Sequence, residues 1–200
     1  MRGKVVLLHR PEGAPHEMSD EALVAACAKG DVAALGALFD RHHAAIYRFV
    51  SRACGVAKND LDDDVQNTFL AAQRSASRFR GDSAARTWLF GIAANEIRHH
   101  IRGEVRRRRC AEALVDAAAT STADDRSASE DLARREQMAR LVAAVDELPH
   151  DQRVAFVLCE VEGVPGVEAA RVLGIPDGTL WRRLHEARKA LMSRMERSGS

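Results

Sequence analysis

Residues 167–191 read VEAARVLGIPDGTLWRRLHEARKAL, and the fold is decided here. Val167 to Leu173 reads as a short helix, Gly174–Ile175–Pro176 as a tight turn, and a longer helix starts near Asp177. Glycine enters a left-handed conformation at little steric cost, and proline has no N–H to waste beside a helix start. Asp177 can accept free amides of the first turn. Two helices joined by a glycine-containing turn are the signature of a helix-turn-helix.

A wheel at about 100° per residue sorts the last helix. Leu180, Leu184, Ala187 and Leu191 face the domain, while Arg182, His185 and Lys189 face away. Trp181 and Arg188 flank one side and Arg183 the other. A cationic face alone is more often just a solvated surface. The turn, the preceding helix and the outward cluster together point to DNA, because a major groove admits such a helix and guanidinium groups pair with guanine edges or phosphates.

Working outward, Val154, Val157, Leu158 and Val161 form one helical stripe, broken by Gly163, Pro165 and Gly166. Helicity begins near Glu130, with Leu141, Val145 and Leu148 leading to Pro149. From about Cys110 to Glu130 the pattern fades into alanine, serine, threonine and acids, the composition of a linker. Upstream lies a second helical unit. Ser19 is placed to cap a helix from Asp20, and Gly30–Asp31 break it. A helix over about 33–52 carries Leu35, Leu38, Phe39, His42, Ile46, Phe49 and Val50 on one stripe. A third runs from Leu61 to Ser75, with Leu61, Val65 and Phe69 inside and Asp63, Gln66, Asn67 and Leu70 outside. A loop over 77–86 precedes a helix over about 87–103, whose stripe is Leu89, Ala93, Ile97 and Ile101, with Trp88 and Ile92 helping. Residues 1–18 read as a loose tail.

The expected fold is therefore all-α: two small helical domains, 19–105 and 136–196, joined by a flexible linker over 106–135. Composition agrees, with 46% apolar residues but only 4% aromatic in 200 residues. The net charge of +1 hides a segregation, since Asp60, Asp62, Asp63 and Asp64 cluster while Arg106 to Arg109 run together. Cys27, Cys54, Cys110 and Cys159 include no CxxC, and His42–His43 and His99–His100 have no metal-ligand spacing, so no metal, cofactor or catalytic residue is expected. There is no apolar run long enough for a membrane span and no signal-peptide core, which leaves a cytoplasmic location.

The segment LPHDQRVAFVLCEVEGVPGVEAARVLGIPDGTLWRRLHEARKAL, residues 148–191, resembles the fourth domain of the extracytoplasmic-function group of the sigma-70 family. It keeps Leu148, Pro149, Glu162, Gly163, Ala170, Leu173, Gly174, Pro176, Gly178, Thr179, Arg183, Leu184, His185, Ala187, Arg188, Lys189 and Leu191 of the family's pattern. DVQNTFLAA (64–72) and FRGDSAARTWLFGIAANEIRHHIR (79–102) are similar to its second domain.

The resemblance implies a non-enzymatic factor that binds core RNA polymerase and directs promoter-specific initiation. It implies Asp63, Val65, Gln66, Asn67 and Leu70 as polymerase contacts. It implies Arg80, Asp82, Ser83, Arg86, Thr87, Trp88, Asn95 and Arg98 at a melted minus-ten element. For a duplex minus-thirty-five element it implies Thr179, Trp181, Arg182, Arg183, His185, Arg188 and Lys189. It also implies an anti-sigma partner.

The chain departs from the pattern at Asp64, Asn67, Gln73, Ala85, Pro165, Gly166 and Trp181. From the residues alone, Trp88 reads equally as core, and the Arg106–Arg109 run as a solvated junction. A stand-alone helix-turn-helix regulator and a polymerase-binding decoy that fails to open DNA are the alternatives.

Overall fold

The structure is a computed structural model that describes residues 17–55, 61–112 and 130–197. The expected tail falls outside these residues except for its last two positions. Much of the linker, and the side chains of Arg106 to Arg109, also lie outside them.

Among the described residues there are eight α-helices and no strand. They are α1 (Asp20–Cys27), α2 (Val32–Cys54), α3 (Leu61–Ser75), α4 (Ala85–Glu112), α5 (Glu130–Asp146), α6 (His150–Phe156), α7 (Gly166–Leu173) and α8 (Asp177–Arg197). The all-α expectation holds. Two boundaries differ from the sequence reading: α4 starts earlier, at Ala85, and continues to Glu112, into the stretch read as linker. An arginine-rich segment is a good helix former, so a fading apolar stripe ends the core contact of a helix before it ends the helix.

The first unit is assembled by caps and one apolar layer. Ser19 Oγ accepts the N–H of Ala22 at 3.2 Å, and Asp31 Oδ1 accepts those of Ala33 and Ala34 at 2.9 and 3.1 Å. Each satisfies helix-end donors that would otherwise lack a partner. Asp20, in the first turn of α1, ties that helix to α2 through Arg41 and through His42 Nε2 at 2.8 Å. Burial raises the Asp20 pKa, but the hydrogen bonds from Arg41 and His42 and their charge more than offset it, leaving the carboxyl below its usual value. Helices α3 and α4 close over α2, where Phe49 meets Phe90 at 4.8 Å and Phe39 meets Phe69 at 4.8 Å. Leu38, Ile46, Leu89 and Ile97 complete the layer. Each fully buried side chain of this size contributes roughly 1.5–3 kcal/mol.

In the second unit, α6 and α7 pack on α8 through Val154, Leu158, Ala170, Leu173, Leu180 and Leu184, and α5 covers Ala187 and Leu191 with Ala144 and Leu148. Residues 157–161 form a π-helical turn after α6. The wider turn shifts the phase of the stripe, so Val157 and Leu158 are buried while Val161, expected inside with them, is exposed.

One hydrophobic core runs from Leu23 of α1 to Leu184 of α8, with α7 lying on α4 and α6 on α2. The α4–α7 crossing is close. A Cβ on Gly91 would stand 2.7 Å from the carbonyl oxygen of Val172, so only glycine fits there.

Candidate nucleic-acid and polymerase interfaces

Helix α7, the turn and α8 form the expected helix-turn-helix. Gly174 sits at φ 64°, ψ 35°, the left-handed conformation for which glycine is suited. Its N–H reaches Arg171 O at 3.1 Å, and that of Ile175 reaches Ala170 O at 3.0 Å, so the last carbonyls of α7 are satisfied. Leu180, Leu184, Ala187 and Leu191 are all buried, and the opposite face presents Arg182, His185 and Lys189 to solvent. Trp181 is half exposed, with its indole ring against Gly166. Thr179 is partly buried at the start of the helix.

The other two arginines assigned to this face already hold partners. Arg183 Nη2 donates to Asp151 Oδ2 at 2.5 Å, and Arg188 is paired with Glu160. Both acids belong to the same unit, on α6 and the π turn.

On α3 the sequence reading is met at the surface and corrected inside. Asp63, Gln66 and Asn67 are exposed, and Leu70 keeps 47% of its surface. Val65 is buried at 1%, beside Phe69 in the core, so its side chain is not available to a partner. The 3.6-residue stripe through Leu61, Val65 and Phe69 already placed it inside, and the motif match carried it outward against that periodicity. Asp64, which departs from the family's apolar residue, is buried too. It accepts from His100 Nδ1 at 3.0 Å and lies 3.6 Å from Cys54 Sγ. A buried carboxylate needs such partners, and His100 provides one of them.

The segment before α4 and its first turns divide in the same way. Arg80 and Asp82 are exposed and Ser83 is partly so. Thr87 is buried at 7%, and Trp88 is half-buried against Phe79 at 5.1 Å, inside the core layer. Thr87 is therefore closed to an unstacked base in this arrangement, whereas Trp88 keeps part of its surface exposed. Arg86 is exposed along its stem, but its guanidinium lies 5.2 Å from the Phe90 ring and donates to Glu162 Oε2 at 2.7 Å. Asn95 accepts from Arg98 at 3.1 Å, and Arg98 Nε stands 3.7 Å from Asp151. Arg171 of α7 donates to the backbone carbonyl of Asp82 at 2.6 Å.

The residues that sequence reasoning missed are acids: Glu162, Asp151 and Glu160. In the sequence Glu162 stands only as a position kept from the family's pattern. It is in fact 5% exposed at the side chain and bridges two arginines of the other unit. No local signal marks this, since the partners Arg52 and Arg86 are 110 and 76 residues away in the chain. Among the described residues no group of histidines, cysteines or acids is arranged to hold a metal ion.

Comparison with known proteins places both units. The family model for sigma-70 region 2 matches residues 38–107, and that for sigma-70 region 4 matches residues 138–191. The ECF RNA polymerase sigma-E factor of Escherichia coli (strain K12) is 32% identical over 187 residues, spanning 90% of this chain and 96% of the relative. The ECF RNA polymerase sigma factor SigM of Mycobacterium tuberculosis is 34% identical over 182 residues, spanning 90% of this chain and 86% of the relative. Among solved structures, CnrH in complex with the cytosolic domain of CnrY aligns with a TM-score of 0.59 at 28% identity, over 88% of this chain and 97% of that one. The sigma factor RpoE in complex with the anti-sigma factor NepR from Bartonella quintana also gives 0.59, at 22% identity over 79% and 94%, and shares the fold.

Proposed function

The chain belongs to the sigma-70 family, in its extracytoplasmic-function group, and from that membership we propose how its surfaces are used. It is an alternative sigma factor, directing promoter-specific transcription by core RNA polymerase. The unit read as 19–105 docks on the polymerase and captures the melted minus-ten element. The unit read as 136–196 reads the duplex minus-thirty-five element, and the segment between them spans the distance.

The observation that carries the reading is the division of α8. Four apolar side chains anchor it while Arg182, His185 and Lys189 stand outward. Inserted in a major groove, such a face gives base contacts that each discriminate by ~1–3 kcal/mol and phosphate contacts that fix register. Asp63, Gln66, Asn67 and Leu70 on α3 offer a polymerase-docking face, acidic at one end and apolar at the other. Arg80, Asp82 and Ser83 are the accessible minus-ten candidates, with Arg86, Asn95 and Arg98 available once their present bonds are exchanged.

The protein supplies binding and no chemistry, since phosphodiester formation belongs to the polymerase. It acts in the cytoplasm, where that polymerase is; among the described residues no helix is long and apolar enough to cross a membrane. An anti-sigma factor is an expected partner, as the sigma factor RpoE from Bartonella quintana is in complex with the anti-sigma factor NepR.

The test is run-off transcription with purified core polymerase on a genomic promoter library. Core-dependent initiation at a defined subset is the expected result. Core binding without initiation would make the chain a decoy, and sequence-specific DNA binding that ignores core would make it a stand-alone regulator.

A further inference from the structure

Trp181, His185 and Lys189 stand four residues apart on α8, so they form one continuous ridge, and all three are exposed. Trp181 is the large apolar side chain of that ridge, with 51% of its surface open. It is the fifth residue of the helix, and the N-terminal turns of a recognition helix are the ones that reach base edges in a major groove. The ring is also held in place. Its six-membered edge fills the space over Gly166, where a Cβ would stand 2.7 Å from Cζ2 and 2.8 Å from Cη2. An indole seated in this way has little freedom left to lose on binding. The half that stays in water gains from burial only against an apolar partner.

We propose that Trp181 makes the recognition helix selective for thymine, by packing its ring against the C5-methyl group in the major groove. The inference rests on the promoter reading, which supplies the duplex, and adds the chemical group that is read. The thymine methyl is the one alkyl group that base pairs present in the major groove, where the other features are hydrogen-bond donors and acceptors. Arg182 and Lys189 suit those polar features and the phosphates. The indole, apart from its single N–H, offers only ring surface, which suits a methyl group. Burial of one such group is worth about fourfold in affinity. Gly166 is the positioning residue, since its missing side chain sets where the ring rests. The two departures from the family's pattern then act on one base pair.

The test uses the full chain with core polymerase and promoters randomised in the minus-thirty-five element. The wild type should enrich thymine at one position or more. Replacing each enriched thymine by deoxyuridine removes the methyl group and nothing else. At one of these positions holoenzyme affinity, read by competition, should fall about fourfold. With Trp181→Ala the thymine and uracil promoters should bind alike, and with Gly166→Ala, which displaces the ring, the difference should shrink. The ratio is taken within each protein, so a variant that folds less well lowers both affinities and leaves the ratio untouched. A wild type indifferent to uracil overturns the proposal, and so does a thymine preference that survives in Trp181→Ala. A Gly166→Ala ratio equal to the wild type's overturns the positioning role of the glycine. Core-dependent run-off from the same promoters separates the two readings. Initiation without a methyl effect removes the thymine contact alone, whereas no initiation removes the promoter reading and this proposal with it.

Discussion

The indole ring of Trp181 lies so close over Gly166 that a Cβ on the glycine would come within 2.7 Å of Cζ2. Both residues depart from the family's pattern, and the structure brings them into contact. The missing side chain at 166 makes the space in which the ring at 181 rests, half exposed on the flank of the recognition helix. Gly166→Ala should displace the ring and change minus-thirty-five selectivity, at a stability cost of about 1–3 kcal/mol for an overpacked contact. Selection from a randomised promoter library checks the first effect and thermal unfolding the second. Unchanged selectivity would mean that the ring only fills space.

Arg182 and His185 are exposed on α8, so their loss should not disturb folding. Alanine at either position should relax selectivity at one base position of the upstream element by ~1–3 kcal/mol, with the melting temperature unchanged. Lys189→Ala should instead weaken binding to all sequences alike and lower the slope of affinity against salt by about one. Arg183→Ala belongs to a different class, because Arg183 is bonded to Asp151. It should lower stability as well as selectivity.

Leu184 is 1% exposed at the centre of the α6–α8 contact. Leu184→Ala should cost ~2–5 kcal/mol in urea unfolding, because it removes buried methyl groups and leaves a cavity. Upstream-element binding should fall with it. Leu70→Glu on α3 should leave stability within about 0.5 kcal/mol, as for most surface changes, while weakening association with core polymerase in a pull-down or surface-binding assay.

His150 opens α6 in the contact with α2, and among the described residues neither ring nitrogen makes a hydrogen bond of good geometry. Burial first, then the charge of Arg153, lowers its pKa from 6.5 to about 4, with Asp151 and the nearby backbone of Ala53 opposing the fall and Arg98 adding to it. The folded state therefore keeps His150 neutral at pH values where the unfolded chain takes up a proton. Stability should decline as pH falls from about 6.5 towards 4 and level off below that, by a total on the order of 3 kcal/mol from this group. Unfolding curves for wild type and His150→Gln should converge or cross over this range. Parallel curves would mean that the ring is solvated.

The sequence made the helix-turn-helix legible because each of its parts has a local cause: a glycine at the turn, a four-residue apolar repeat, cations on the opposite face. The caps at Ser19 and the stripe of α2 were legible for the same reason. Motif matching carried positions but not orientation. Val65 and Thr87 fall inside matched stretches and point inward, and in the case of Val65 the helical period had already said so. The contact between the units was hidden. Gly91 reads along the chain only as a poor helix residue, and Glu162 only as a position kept from the family's pattern. Their partners come from helices far apart in sequence, where periodicity carries no information.

Permanganate footprinting of a promoter chosen by the library selection tests the central claim most directly. With chain and core polymerase both present, thymines in the minus-ten element should become reactive, and with either component alone they should stay protected. Protected thymines in the full mixture, despite stable association of the chain with core, would contradict its assignment as an initiating sigma factor.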